Sequence, residues 1–555
     1  MVGVPGRSKA CHTCRRRRIK CGAELPGCHN CAKSNRICTG YQRKHTFILS
    51  QDMVVGDGAA SPHTKSSVED EDNSGMVMVS RWRVDSNRTQ AAIRTKAQEK
   101  LCPESALLPR TTALPATVPT RNAFRDGFFS LLVQTNLPAN NSVYCLVGGH
   151  RYNWLLQVLD LPSLSPALEN ALLAVCTAQL GRRADRTELV RQALKLYTEG
   201  MAQCRREILN PSTRKSEQTL AACMALLLYE IIECPGGTFM GYLAHYQGYM
   251  ELLRMRGASA HTSGLAHSTF QVLRIHTAIQ CFRVPRKTFL ADPEWQHGPW
   301  SSNPDQKSPF DRLVDILLLE VPEYIRHCQA LTDMADPNQT LSSAQEVLRE
   351  SREIEHLLDK WFDYFKSLVP GALYHAELSK VDTAVDDSEL GKLFPVTFQF
   401  PAFIVGQSMV YYWVTLVLVQ ARQCYIHGML ARLVAVLDSI GRDKLPCKCK
   451  CAHHAVDTPT DCLRHFTADT LASLNYRSEW PRAIVNNICQ SVEYFLGDTT
   501  RGFAPVGMLP ALAVAKGFWE HAPGSWDRQI AWTDEMVERI RVNVGYHTFC
   551  NPCKH

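Results

Sequence analysis

Between residues 188 and 209, apolar or small side chains recur at Val190, Ala193, Leu194, Tyr197, Met201, Cys204 and Ile208. Steps of three and four put them on one face of a helix, with Arg191, Lys195, Glu199, Arg205 and Arg206 on the rest of its surface. Asn210-Pro211 ends that helix, because proline lacks an N–H and crowds the preceding turn. Ser216 is a candidate N-cap for a helix over 217–233, EQTLAACMALLLYEIIE, which is apolar on nearly all sides, as a central helix would be. Pro235-Gly236-Gly237 stops it, and a helical period resumes over 242–256. Long helices joined by short breaks, with few alternating β-branched runs and no fixed-period repeat, predict a large all-α body over 123–555.

Residues 393–421 carry no charge, and 402–419, AFIVGQSMVYYWVTLVLV, approach the roughly 20 apolar residues of a membrane span. Gln399, Gln407 and Gln420, the breakers Pro395 and Pro401, and the mid-segment triplet Tyr411-Tyr412-Trp413 argue instead for a buried core helix.

The first 122 residues differ in composition. The stretch 46–122 is small, polar and proline-punctuated, with an acidic run at Glu69, Asp70, Glu71 and Asp72, and is expected to be a flexible linker. Of the 555 residues, 61 are Lys or Arg and 54 Asp or Glu, a net +7. Residues 1–45 hold eleven of those cations and one acid, Glu24, so this end alone is +10 and the remainder −3. A short basic module joined to a mildly acidic body implies different partners for the two, one of them a polyanion. The N-terminus lacks the apolar core of a secretory signal, so the chain is expected in a reducing compartment, where clustered cysteines are metal ligands or thiols.

In the basic module Cys11, Cys14 and Cys21 are spaced Cys-x2-Cys-x6-Cys, and Cys28, Cys31 and Cys38 repeat that spacing. Zinc takes four tetrahedral ligands and favours thiolate. Two zinc ions therefore need eight metal–sulfur bonds from six thiolates, so two sulfurs must bridge. A single zinc held by Cys11, Cys14, Cys28 and Cys31 is the alternative, and it leaves Cys21 and Cys38 idle. Between Cys14 and Cys21 run Arg15, Arg16, Arg17, Arg18, Ile19 and Lys20. The corresponding stretch of the second repeat carries only Lys33 and Arg36, so the first repeat is expected to face DNA. Arginine's planar fork can bond O6 and N7 of guanine together in the major groove, which suits a G-rich element.

The stretch ACHTCRRRRIKCGAELPGCHNCAKSNRIC, with Pro26 in the loop and Lys20 beside the third cysteine, resembles the fungal zinc(2)-cysteine(6) binuclear cluster transcription factors. That resemblance implies that all six cysteines ligate zinc, with Cys11 and Cys28 bridging, and that Arg17 and Arg18 occupy the base-reading positions of members that recognise CGG triplets. Arg18 stands where lysine is frequent in the family, and Gly22 where an acid is. His245-Tyr246-Gln247-Gly248 and the stretch 487–494, NICQSVEY, are similar to the helical regulatory region of the same family. Many members follow the cluster with a coiled coil, but 39–100 has no apolar heptad, so either the body forms a homodimer or a monomer binds DNA.

Cys447, Cys449, Cys451 and Cys462, with His453 and His454, form a second candidate metal or redox cluster on a loop flanked by Gly441, Pro446 and Pro459. The tail residues His547, Cys550, Cys553 and His555 could close a further zinc site. Cys176, Cys204, Cys223 and Cys489 fall on apolar helix faces and read as core. A nucleophile elbow, a phosphate loop, a dinucleotide glycine fingerprint and a helical His-Glu-x-x-His are all missing, so an enzyme is not expected. The chain thus reads as a nuclear, DNA-binding regulator of RNA polymerase II transcription, with two structural Zn2+ ions, duplex DNA and the transcription machinery as partners, and a metabolic or secondary-metabolite gene set as target. The competing reading is a membrane- or metal-associated sensor built on the cysteine clusters.

Overall fold

The computed structural model describes residues 11, 13–14, 17, 19–22, 28–34, 36, 38, 127–134, 136–137, 154–302, 307–389, 391–442, 462–474, 479–497 and 504–544. The expected linker over 46–122, the residues Cys447, Cys449, Cys451, His453 and His454, and the tail residues His547, Cys550, Cys553 and His555 lie outside them. The chain divides into two compact units, Met1–Gln98 and Glu99–His555.

In the first unit the described helix is α1 (His29–Lys33). The second runs through α2 (Trp154–Leu159), α3 (Pro166–Arg183), α4 (Thr187–Leu209), α5 (Glu217–Glu233), α6 (Met240–Arg256), α7 (Gly264–Arg283), α8 (Pro293–His297), α9 (Pro309–Leu319), α10 (Val321–Ala330) and α11 (Pro337–Leu368). A two-stranded sheet, β1 (His375–Leu378) and β2 (Val396–Gln399), precedes α12 (Phe403–Ile440), α13 (Ala468–Ser473), α14 (Arg482–Leu496), α15 (Leu509–His521) and α16 (Asp527–Val544). The body is mainly helical, as the periodicity implies.

Local chemistry sets the helix ends. The Ser216 hydroxyl accepts from the Gln218 N–H at 3.2 Å and starts α5, while Cys234 stops it in the left-handed region at φ 40°. All but the first two residues of α5 are buried, and the helix packs against α3, α6 and α7. Its two buried acids are held by partners that satisfy them. The Glu233 carboxylate takes a two-pronged bond from Arg182 (2.9 and 2.7 Å), and that of Glu230 accepts from the Tyr197 hydroxyl, which also contacts His245 Nε2 at 2.9 Å. Tyr197 stacks on Tyr229 with ring centroids 4.4 Å apart. His245, part of the resemblance in the body, therefore links α6 to α4. Cys176, Cys204, Cys223 and Cys489 are all buried, as their faces imply.

The uncharged segment contains the expected buried helix and, ahead of it, a strand that was not expected. Residues 396–399 form β2, which pairs antiparallel with β1 in the register His375 to Gln399 and Leu378 to Val396, so the body is not purely α. Thr397 and Phe398 of β2 are buried against α14, and Pro401 keeps strand and helix apart. The following helix α12 is long and apolar enough to cross a membrane, yet its most apolar window is wholly buried in the body. Its polar residues have protein partners: Gln420 and Gln423 both donate to the Glu355 carboxylate of α11 at 2.8 Å. Trp413 lies among Tyr374, Phe398 and Phe400, an aromatic cluster of a protein core.

Burial pushes the pKa values of two histidines, His245 and His261, down to about 4, and this gives the body a pH dependence. His261 is fully buried beside Phe270 and Trp295; its Nδ1 bonds the Ala266 carbonyl at 3.3 Å, and its Nε2 has no partner. Burial pushes its pKa down to about 4, against an ordinary value of 6.5, despite that carbonyl. Below pH 6.5 the unfolded chain gains a proton that the folded one refuses, so stability is full above 6.5 and is lost as pH falls toward 4. The expected loss is up to about 3 kcal/mol. Melting temperatures between pH 7 and 4 check it: His261→Gln should flatten the acid limb, and an unchanged slope refutes the assignment.

Candidate zinc cluster and nucleic-acid interface

The six cysteines of the first unit converge. Cys11, Cys14, Cys28 and Cys31 are fully buried, and Cys21 and Cys38 are half-buried against them. Their sulfurs form two groups of four, each with all its atoms within 4.8 Å of one another: Cys11, Cys14, Cys21 and Cys28, and Cys11, Cys28, Cys31 and Cys38. The groups share Cys11 and Cys28, whose sulfurs lie 3.7 Å apart. Cys14 to Cys28 is 3.5 Å and Cys11 to Cys31 is 3.8 Å. Four thiolates at zinc–sulfur bonds of about 2.3 Å have edges of roughly 3.8 Å, so these separations fit tetrahedral zinc.

The two repeats build their halves alike. In each Cys-x2-Cys pair the second cysteine's N–H donates to the first one's sulfur: Cys14 to Cys11 at 3.3 Å, and Cys31 to Cys28 at 3.4 Å. The Cys31 N–H bond makes Cys28 the N-cap of α1, while Thr13 and Cys14 are helical in the first repeat. Burial and then the neighbouring sulfurs push the Cys14 thiol well above its ordinary range. Crowded thiols of this kind need a cation to become thiolates, and a Zn2+ ion supplies it. The six cysteines are thus the residues that could hold two zinc ions. His29 is exposed and outside both groups.

Arg17, Ile19, Lys20, Asn30, Lys33 and Ser34 line a shallow surface depression of this unit. Arg17 and Lys20 are exposed, while Arg15, Arg16 and Arg18 lie outside the described residues. Both repeats contribute residues to the depression. Asn30 and Ser34 were not singled out from the sequence; the available signal is their spacing of four, which puts both on the same side of α1.

The second candidate cluster is not assembled among the described residues. Cys462 was expected on an exposed loop, but it is buried. The adjoining Leu463 and Phe466 are core residues, and the Cys462 carbonyl accepts from the His465 and Phe466 N–H groups, so the segment is drawn inward.

A sulfur cage for two zinc ions and a separate helical body define a zinc-cluster regulator architecture. Residues 9–46 match the fungal Zn(2)-Cys(6) binuclear cluster domain, and 105–445 match the fungal specific transcription factor domain. The chain belongs to the family of proteins with the fungal specific transcription factor domain and carries a cluster domain of the type that binds two zinc ions.

Among curated proteins, it is 61% identical over 56 residues to an uncharacterized transcriptional regulatory protein of Schizosaccharomyces pombe, covering 9% of this chain and 10% of that one. White-opaque regulator 2 of Candida albicans is 56% identical over 54 residues, 8% of this chain and 12% of that protein. An uncharacterized protein of Emericella nidulans is 25% identical over 134 residues, 24% of this chain and 28% of its own length. The chain therefore spans only about a tenth to a quarter of the length of these relatives. No solved structure matches it.

Proposed function

We propose that this protein is a zinc-dependent, sequence-specific DNA-binding regulator of RNA polymerase II transcription that acts in the nucleus. The observation that carries the reading is the pair of four-sulfur groups sharing Cys11 and Cys28 beside a surface with Arg17 and Lys20. In this reading residues 7–45 are the DNA-binding module, 46–122 a linker and 123–555 the regulatory body. Cys11, Cys14, Cys21, Cys28, Cys31 and Cys38 are the ligands of two structural Zn2+ ions, with Cys11 and Cys28 bridging. Zinc supplies folding free energy to a module too small for an apolar core. Arg15, Arg16 and Lys20 neutralise phosphates, while Arg17 and Arg18 read guanines of a CGG-like triplet. Control of a metabolic or secondary-metabolite gene set rests on the family likeness alone.

Selection of duplexes from a random pool by the full-length chain tests this directly. Enrichment of a G-rich triplet supports the reading, and two triplets at a fixed spacing mean a homodimer. On the selected duplex Arg18→Ala should cost about 1–3 kcal/mol, the worth of a bidentate guanine contact, with a smaller loss on scrambled DNA. Equal losses on both would make Arg18 a phosphate contact.

A further inference from the structure

We propose that Ser34 and Asn30, both in the second repeat, are positioning residues that aim the basic segment of the first, with Arg17 as the side chain they orient. This inference rests on the DNA-reading proposal above and deepens it.

The second repeat is poor in cations, and by charge alone it would be a passive half that merely completes the metal cage. Its hydrogen bonds say otherwise. The Ser34 hydroxyl accepts from Arg17 Nη1 at 2.9 Å and donates to the Asn30 carbonyl at 2.7 Å. Asn30 Nδ2 in turn donates to the Lys20 carbonyl at 2.6 Å. Asn30 lies in α1 and Ser34 is its C-cap, four residues on, so one side of this short helix grips the basic segment at both ends. It holds a side chain at position 17 and the backbone at position 20.

The chemistry of the Arg17 contact is specific. A serine hydroxyl has one proton, and here the Asn30 carbonyl at 2.7 Å and the Cys31 carbonyl at 3.2 Å are its acceptors, which leaves the oxygen lone pairs for the guanidinium. The guanidinium has five N–H donors in a rigid fork, and the bond to Ser34 uses Nη1. The Nε–Nη2 edge, which the Ser34 bond does not use, is able to meet O6 and N7 of guanine together. An arginine held in one orientation before binding gives up less rotamer freedom when it meets a base. Arg17 and Ser34 line the same depression, so the gripped side chain lies at the surface proposed to face DNA.

The test uses the full-length chain, a duplex selected by the wild type from a random pool, and a scrambled duplex of equal length and composition. Ser34→Ala is expected to weaken the selected complex roughly 3- to 10-fold, with the scrambled complex and the zinc content unchanged. Ser34→Thr, which keeps a hydroxyl, should restore most of the loss. In an Arg17→Ala background, Ser34→Ala should add nothing, since the two residues act through one bond. An indifferent Ser34→Ala, equal losses on both duplexes, a fall in zinc content, or the same loss in the Arg17→Ala background would each overturn the proposal. A wild-type chain that enriches no duplex overturns the DNA-reading proposal together with this one. Enrichment by the wild type with an indifferent Ser34→Ala overturns this one alone.

Discussion

Changing Cys11 or Cys28 to Ser in the full-length chain is expected to remove both zinc ions and to weaken binding to a selected duplex more than about 100-fold. The reason is geometric: these two sulfurs belong to both groups of four, so losing either leaves each prospective site with three thiolates. Cys21 and Cys38 each belong to one group and are only half-buried. Cys21→Ser or Cys38→Ser should therefore leave about one zinc per chain. Structural zinc sites contribute on the order of 10–16 kcal/mol at neutral pH in small peptides, more than a 45-residue module could recover from its own apolar contacts. Metal analysis of the purified variants decides the matter. A Cys28→Ser chain that retains a full zinc would defeat the shared-sulfur assignment and favour two independent sites or a single one.

In the body the largest expected effect lies at Arg274. Its guanidinium has no exposed surface; it donates to Asp311 Oδ1 at 3.3 Å, to the Asp311 carbonyl at 3.4 Å and to the Asp315 carboxylate. Lys307 Nζ shares Asp315 at 2.6 Å, and the Trp300 ring lies 4.8 Å from the guanidinium. This network ties α7 to α9. Arg274→Ala would leave Asp311 buried with only neutral partners, Gln271 and Ser308, and is expected to cost about 3–5 kcal/mol. Arg274→Lys should recover little, because an ammonium is a point charge and cannot span two carboxylates as the fork does. Thermal melts at a fixed scan rate measure the loss; a melting temperature within a degree of the wild type would show that the pair contributes nothing net.

Both predictions depend on residues whose weight the sequence shows unequally. The cysteine spacing singles out the candidate zinc ligands, because a metal site constrains residue type and separation together. Arg274 is a single cation in an amphipathic stretch. Nothing along the chain separates it from a solvated arginine, since Asp311 and Asp315 lie about forty positions away.

The same contrast runs through the fold. Helix α5 has the expected bounds, 217–233, with Ser216 as its cap, because capping and apolar periodicity are local properties. Its left-handed stop at Cys234, one residue before the expected Pro235-Gly236-Gly237, is seen only in the structure. In the segment 393–421 the expected buried helix is preceded by a strand. A short apolar run fits a strand as well as a helix until the partner β1, some twenty residues upstream, is known. Cys462 illustrates the reverse case: polar, proline-bearing neighbours suggest exposure, while the side chains that follow it are anchored in the core.

By itself, then, the sequence determined the zinc module, its charge and the helical character of the body, all of which follow from near-neighbour spacing. Tertiary structure alone decided that residues 396–399 form a strand, that Arg274 is paired, and that Asn30 and Ser34 of the second repeat bond the basic segment of the first. Those outcomes depend on contacts between residues distant in the chain, and folding chooses such contacts by packing, desolvation and hydrogen-bond satisfaction over the whole unit.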